Sequence, residues 1–190
     1  RACVRSTEIE RVNEDHPARA RRVLREVFGH ESFRPLQEDV ITHVLAGGDA
    51  CVLLPTGGGK SLLYQIPALI FDGLTVVLSP LIALMEDQTA ALRRRGIAAT
   101  YINSSLDREE RERRLRSVRS GETKILYAVP ERFRQAEFAE AVRERGVSLL
   151  AVDEAHCVTS WGHDFRPEYG RIARIRTALG NPPTIALTAT

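Results

Sequence analysis

Two short stretches of the chain carry residue types suited to phosphate chemistry. In Leu54-Pro55-Thr56-Gly57-Gly58-Gly59-Lys60-Ser61, three successive glycines follow an apolar run and precede a helical pattern. Glycines of this kind take positive φ and let backbone N–H groups converge on an anion, while a helix beginning at Lys60 points its positive dipole end at the same spot. Lys60 adds a point charge for the terminal phosphates, and Ser61 a hydroxyl for Mg²⁺. The spacing is a variant of G-x-x-x-x-G-K-[ST], because Leu54 occupies the first glycine position. Context must therefore separate a phosphate cradle, formed by Thr56, Gly57, Gly58, Gly59, Lys60 and Ser61, from a plain flexible turn.

The second stretch, Asp153-Glu154-Ala155-His156, follows the apolar run 147–152. An aspartate at a strand end can hold Mg²⁺, so Ser61 and Asp153 are the candidate metal residues. The adjacent Glu154 can orient and deprotonate an attacking water. Lys60, Asp153, Glu154 and His156 form the candidate catalytic set. Only Lys60 and Lys124 are lysine among 27 basic residues, which makes a lysine at the loop informative. A compact ammonium suits a crowded phosphate pocket better than a planar guanidinium.

The elements around these stretches follow from hydrophobic period. Residues 1–14 alternate charge without a sustained apolar period and read as a leader or linker, with a domain over 15–190. A helix is expected from Pro17 to Phe28, another from Pro35 to Val44, and a third after the glycine loop, bent by Pro67. Helices are also expected from Ser79-Pro80 to Arg95 and from about Arg132 to Arg145. Short apolar runs at 50–54, 74–78, 98–102, 125–127, 147–152 and 184–187 read as strands buried on both faces. Strands alternating with helices predict an α/β fold, a mainly parallel sheet with helices on both faces. Ligands of such sheets sit beyond the carboxyl ends of the strands, where both chemical stretches fall.

Composition bounds the rest. The chain has 190 residues, 43% of them hydrophobic, and a formal net charge of +2, too mild by itself to announce a nucleic-acid binder. The charged segment 107–119 pairs Glu and Arg four apart, the pattern of a solvated helix face. No apolar run approaches the roughly 20 residues that span a bilayer, so no membrane partner is expected. Cys3, Cys51 and Cys157 are scattered and read as reduced thiols. The start at Arg1 points to a piece of a longer protein.

Taken with this order of elements, the sequence resembles the first RecA-like, P-loop domain of superfamily 2 helicases, and specifically the RecQ family of DNA helicases. The resemblance spans about Val23 to Thr190. It rests first on Phe28-Gly29-His30-Glu31-Ser32-Phe33-Arg34-Pro35-Leu36-Gln37, similar to the family's adenine-recognition segment. The resemblance implies that Gln37 reads the edges of adenine and that Arg34 and His30 stack on the base, His30 standing where relatives usually carry tyrosine. It rests next on Trp161-Gly162-His163-Asp164-Phe165-Arg166, which is similar to the family's aromatic-rich loop. An aromatic and basic loop suits single-stranded nucleic acid, where stacking is worth about 1–3 kcal/mol per base. Trp161, His163, Phe165 and Arg166 are the candidate DNA residues.

Smaller matches agree. Ser79-Pro80-Leu81-Ile82 resembles a backbone-contacting turn, with Ser79 a phosphate donor or a plain cap. Thr188-Ala189-Thr190 is similar to the motif linking hydrolysis to strand separation. The resemblance implies ATP and Mg as cofactors, DNA that is chiefly single-stranded or fork-like as partner, and a second RecA-like lobe lying outside this chain. It further implies a bacterial cytoplasmic (nucleoid) or, in a eukaryote, nuclear location. An RNA helicase with the same acidic signature and a non-catalytic nucleotide-gated binding module are the competing functions.

Overall fold

A computed structural model describes residues 4–158 and 170–189. Six strands form one sheet: β1 (Ala50–Leu53), β2 (Leu74–Leu78), β3 (Ala99–Ile102), β4 (Ile125–Ala128), β5 (Val147–Val152) and β6 (Thr184–Thr188). Their order is β1-β6-β5-β2-β4-β3, and every pairing is parallel. The two strands that end in the chemical stretches, β1 and β5, are thus held apart by β6.

Seven α-helices accompany them among the described residues: α1 (Val4–Glu26), α2 (Gln37–Leu45), α3 (Leu62–Ile70), α4 (Ile82–Arg94), α5 (Arg108–Arg119), α6 (Ala136–Arg145) and α7 (Ile172–Ala178). The pleat sorts the strand side chains by turns onto two faces. Val77, Tyr127, Ala151 and Leu187 face a core completed by α1 to α4. Val76, Leu126, Leu150 and Ala186 face a second core completed by α5, α6 and α7. All five residues of β2 are buried, as the uninterrupted run at 74–78 implies for a central strand covered on both sides. The expected fold class holds.

Boundaries shift where local chemistry outweighs the apolar period. The expected start at Pro17 and the leader over 1–14 meet a helical backbone that begins at Val4 and runs through Pro17. Glu and Arg are good helix formers and residues 4–14 contain no glycine, so charge alternation does not stop the helix. Helix α2 starts at Gln37 rather than Pro35, because Leu36 takes a left-handed conformation at φ 70°. The helix expected from Arg132 divides into a 3₁₀ turn, Pro130–Arg134, and α6, with Gln135 extended between them. Pro67 is accommodated inside α3. Among the described residues no helix is long and apolar enough to cross a membrane.

Candidate nucleotide site

The strand β1 delivers the glycine loop directly. Leu54 extends the ladder by donating its N–H to Thr188 O at 3.1 Å, and the chain then turns at Gly57 and Gly59, both at positive φ (76° and 81°). An L side chain at either position is strained. A Cβ on Gly59 would also stand 2.4 Å from Gln37 Nε2, so any side chain there would displace the Gln37 amide from the loop. Lys60 and Ser61 form the turn into α3, where Leu62 N–H donates to Gly59 O at 3.2 Å and Leu63 N–H to Lys60 O at 3.1 Å.

A cleft of about 340 Å³ opens at the carboxyl ends of the strands, lined by Thr56, Gly57, Gly59, Lys60 and Ser61 on one side and Asp153 and Glu154 on the other. Lys60 Nζ stands 4.0 Å from Glu154 Oε1. Glu154 adopts φ 50°, an uncommon conformation for a residue with a side chain, and its N–H bonds the neighbouring Asp153 Oδ1 at 3.0 Å. This twist sends the glutamate back across the cleft toward the lysine and His156. Burial, then the adjacent Glu154 charge, raises the Asp153 carboxyl above its usual range; the Glu154 N–H, Lys60 and His156 act in the opposite direction. A partly buried carboxylate so placed gains from a cation, which would offset the desolvation cost. The donor set of Ser61 hydroxyl and Asp153 carboxylate is oxygen-based, as Mg²⁺ requires.

His156 does not line the cleft. Its Nδ1 lies 3.3 Å from Glu154 Oε2 and 3.1 Å from Thr188 Oγ1, so the imidazole connects the glutamate to the end of β6.

The expected base-recognition residues cluster on the other side of the loop. His30, Arg34 and Gln37 line a pocket of about 120 Å³ together with Leu24, Ser32, Leu62 and Gly59, the last shared with the main cleft. Gln37 is only 2% exposed, and its amide is engaged by the loop: Nε2 donates to Gly59 O at 3.2 Å and Gly58 O at 3.4 Å, while Oε1 accepts from Arg34 N at 2.9 Å. The Arg34 guanidinium likewise donates to Gly57 O. Both side chains hold the glycine loop in addition to facing the pocket.

Ser79, expected as a phosphate donor or a plain cap, is 2% exposed, lines the main cleft, and its Oγ accepts from Leu81 N at 3.5 Å. What the turn presents to solvent is apolar: Leu81 and Ile82 are 49% and 37% exposed. Trp161, His163, Phe165 and Arg166 lie outside the described residues, as does Thr190.

The site also contains residues that sequence reasoning passed over. Tyr64, Tyr127 and Gln88 line the cleft, and Gln65 lies beside them. Gln65, a buried amide on the apolar face of α3, was the available signal; the tyrosines look like ordinary core aromatics.

A glycine loop and an acidic strand end facing one cleft of an all-parallel sheet are the arrangement of a P-loop domain. Residues 34–190 match the DEAD/DEAH box helicase family, and the chain belongs to it. Within that family its similarities are to the RecQ helicases. It is 48% identical over 168 residues to the ATP-dependent DNA helicase RecQ of Haemophilus influenzae, covering 88% of this chain and 27% of that protein. It is 47% identical over 174 residues to the RecQ helicase of Bacillus subtilis (90% and 29%), and 45% identical over 184 residues to ATP-dependent DNA helicase Q5 of Mus musculus (93% and 19%). The chain therefore spans less than a third of the length of these relatives.

Solved structures share the fold. The DUF1998 helicase MrfA bound to DNA and AMPPNP superposes with a TM-score of 0.69 at 20% identity, covering 90% of this chain and 26% of that one. A hypothetical ATP-dependent RNA helicase from Sulfolobus tokodaii gives a TM-score of 0.67 at 22% identity, with 91% and 50% covered.

Proposed function

We propose that this domain is the first motor lobe of a RecQ-type DNA helicase, hydrolysing Mg-ATP in the cleft between the glycine loop and Asp153-Glu154. The observation that carries the reading is the convergence of Lys60 and Ser61, from the end of β1, with Asp153 and Glu154, from the end of β5, in one cleft. The loop amides and the α3 terminus favour the phosphates, and Lys60 leaves Glu154 to meet them. Ser61 and Asp153 would hold Mg²⁺, which when bound neutralises charge on the phosphates. Glu154 accepts a proton from the attacking water, and His156 fixes its carboxylate through Nδ1. The pocket of His30, Arg34 and Gln37 takes the base; Gln37 there exchanges loop carbonyls for the edges of adenine.

In the intact protein a second RecA-like lobe would close this cleft and supply arginine to the transferring phosphoryl group. The substrate of that motor is DNA, single-stranded or forked, with the aromatic stretch Trp161 to Arg166 as its stacking contact. Its place is then with the chromosome, in the bacterial nucleoid or a nucleus. Comparing stimulation of ATP turnover by single-stranded DNA and by RNA in the full-length protein tests this reading. DNA is expected to stimulate, and a clear RNA preference overturns it. Turnover unchanged by Glu154→Gln would instead favour the nucleotide-gated binding module.

A further inference from the structure

Helix α3 ends unlike its neighbours. Among the described residues the other six α-helices are each followed by a glycine at positive φ: Gly29, Gly47, Gly96, Gly121, Gly146 and Gly180. That conformation turns the chain so that N–H groups beyond the helix reach back to its last carbonyls. After Ile70 no such turn is made. Phe71 is extended at φ −71° and ψ 150°, and its N–H bonds Pro67 O. Carbonyls left at a helix end need other donors. Three consecutive ones here are met by cationic side chains. Arg19 of α1 donates to Ile70 O at 3.3 Å, Lys124, just before β4, donates to Phe71 O, and Arg145 at the end of α6 donates to Asp72 O at 3.4 Å. The donors stand 51, 53 and 73 residues from their acceptors in sequence, so a cap made locally elsewhere is made here by three distant segments.

Cations at this end also suit the negative pole of the helix. Lys124 is the second of the chain's two lysines, and burial holds its ammonium below the ordinary range; Asp72 opposes this and Arg145 adds to it. The segment it caps has no slack, since a Cβ at Gly73 would collide with Ser148 Oγ at the start of β5. The opposite end of α3 carries the glycine loop. Its nine residues rise about 1.5 Å each, so a shift at Ile70 is passed along a helix of about 13 Å to Lys60 and Ser61. We propose that Arg19, Lys124 and Arg145 form a three-point clamp on the carboxyl end of α3 that positions the glycine loop for its nucleotide, with Lys124 at the centre. The clamp rests on the Mg-ATP reading of the cleft, but it gives a role to residues beside the amino-terminal ends of the strands, which that reading does not use.

The test uses the full-length protein with Lys124→Met, Arg145→Met and Arg19→Met, which keep an unbranched stem and remove the donor. Gly180→Ala is the control for a general loss of stability, because it strains the cap of α7 where a Cβ meets open space. KM for ATP and kcat are read well below each melting temperature. Lys124→Met is expected to raise KM roughly threefold to tenfold, the scale of one net hydrogen bond. The two arginine variants are expected to raise it less. kcat should stay within about twofold, because Asp153 and Glu154 stand on β5. Gly180→Ala should lower the melting temperature and leave KM unchanged. An unchanged KM in Lys124→Met overturns the clamp, as does an equal rise in Gly180→Ala. If Lys124→Met does not fold, the arginine variants carry the test, and an unchanged KM in both overturns it. If the unaltered protein itself shows no Mg-dependent ATP binding, the cleft reading fails instead, and the two failures are distinct.

Discussion

A cavity of about 520 Å³ lies at the amino-terminal edge of β3, larger than the cleft of about 340 Å³ at the opposite ends of the strands to which the phosphate chemistry is assigned. Both are lined by cationic side chains, arginines in the larger cavity and Lys60 in the cleft. They differ in what that charge is already doing. In the larger cavity Arg93 donates to Ala99 O at 2.8 Å and Arg113 and Arg114 both bind Glu110. Arg114 also donates to Tyr101 O at 2.8 Å and lies 4.1 Å from the Tyr101 ring. These guanidinium groups serve their own helix and strand. In the cleft, Lys60 meets Glu154 only at 4.0 Å, and burial holds Asp153 above its usual range. Function follows charge kept under desolvation and ready to change partners, not the size of the hollow.

Substitutions on the two sides of this contrast should separate it. Glu154→Gln is expected to have the largest effect, lowering ATP turnover of the full-length protein about 10²–10⁴-fold while nucleotide binding persists. Lys60→Ala should lower turnover about 10²–10³-fold, the scale of one lost charge-stabilising donor. Retention of a tenth or more of the turnover by either variant breaks the assignment of the cleft.

Asp153→Asn should abolish turnover yet raise the melting temperature at neutral pH, because it removes a desolvated charge. The sign follows from linkage. A raised native pKa means the folded state binds its proton more tightly, so stability falls as pH rises from the ordinary carboxylate range through the raised pKa. The gain in the Asn variant should therefore vanish in acid, where Asp153 is protonated folded or unfolded. Thermal melts across pH read this directly, and a lower melting temperature at neutral pH would contradict it. Smallest of all, Glu110→Ala beside the arginine-lined cavity should cost about 1 kcal/mol, since one partner, Arg113, is largely exposed while Arg114 keeps its bond to Tyr101 O, and should leave turnover within twofold.

Much of this was legible in the sequence because it is local. Three glycines before Lys60-Ser61, and two acids after the apolar run at 147–152, announce their chemistry within a few residues. The six strand runs could be read from apolar continuity, but their order could not. Nothing near Thr184 says that β6 inserts between β1 and β5. Leu36 is a similar case: a leucine gives no hint of φ 70°, a conformation set by the docking of Gln37 against the glycine loop. The Tyr64–Tyr127 contact joins residues 63 apart in sequence, each of which alone is an unremarked aromatic in an apolar element. Pairwise chemistry across elements was what single-residue patterns could not supply.

The pairing of β1 has a consequence for how the protein is made. Among the described residues its sole ladder partner is β6, from Ala50 opposite Ile185 to Leu53 opposite Thr188. Asp49 reinforces the seam, accepting from Thr184 N across 135 residues of sequence. During synthesis the glycine loop emerges early, but the strand that carries it has no neighbour until residues 184–188 have left the ribosome. Such long-range closure is slow and comes late in folding. A nascent chain that already contains Lys60, Asp153 and Glu154 would thus still lack a fixed nucleotide cleft, and ATP could not be engaged before the lobe is whole.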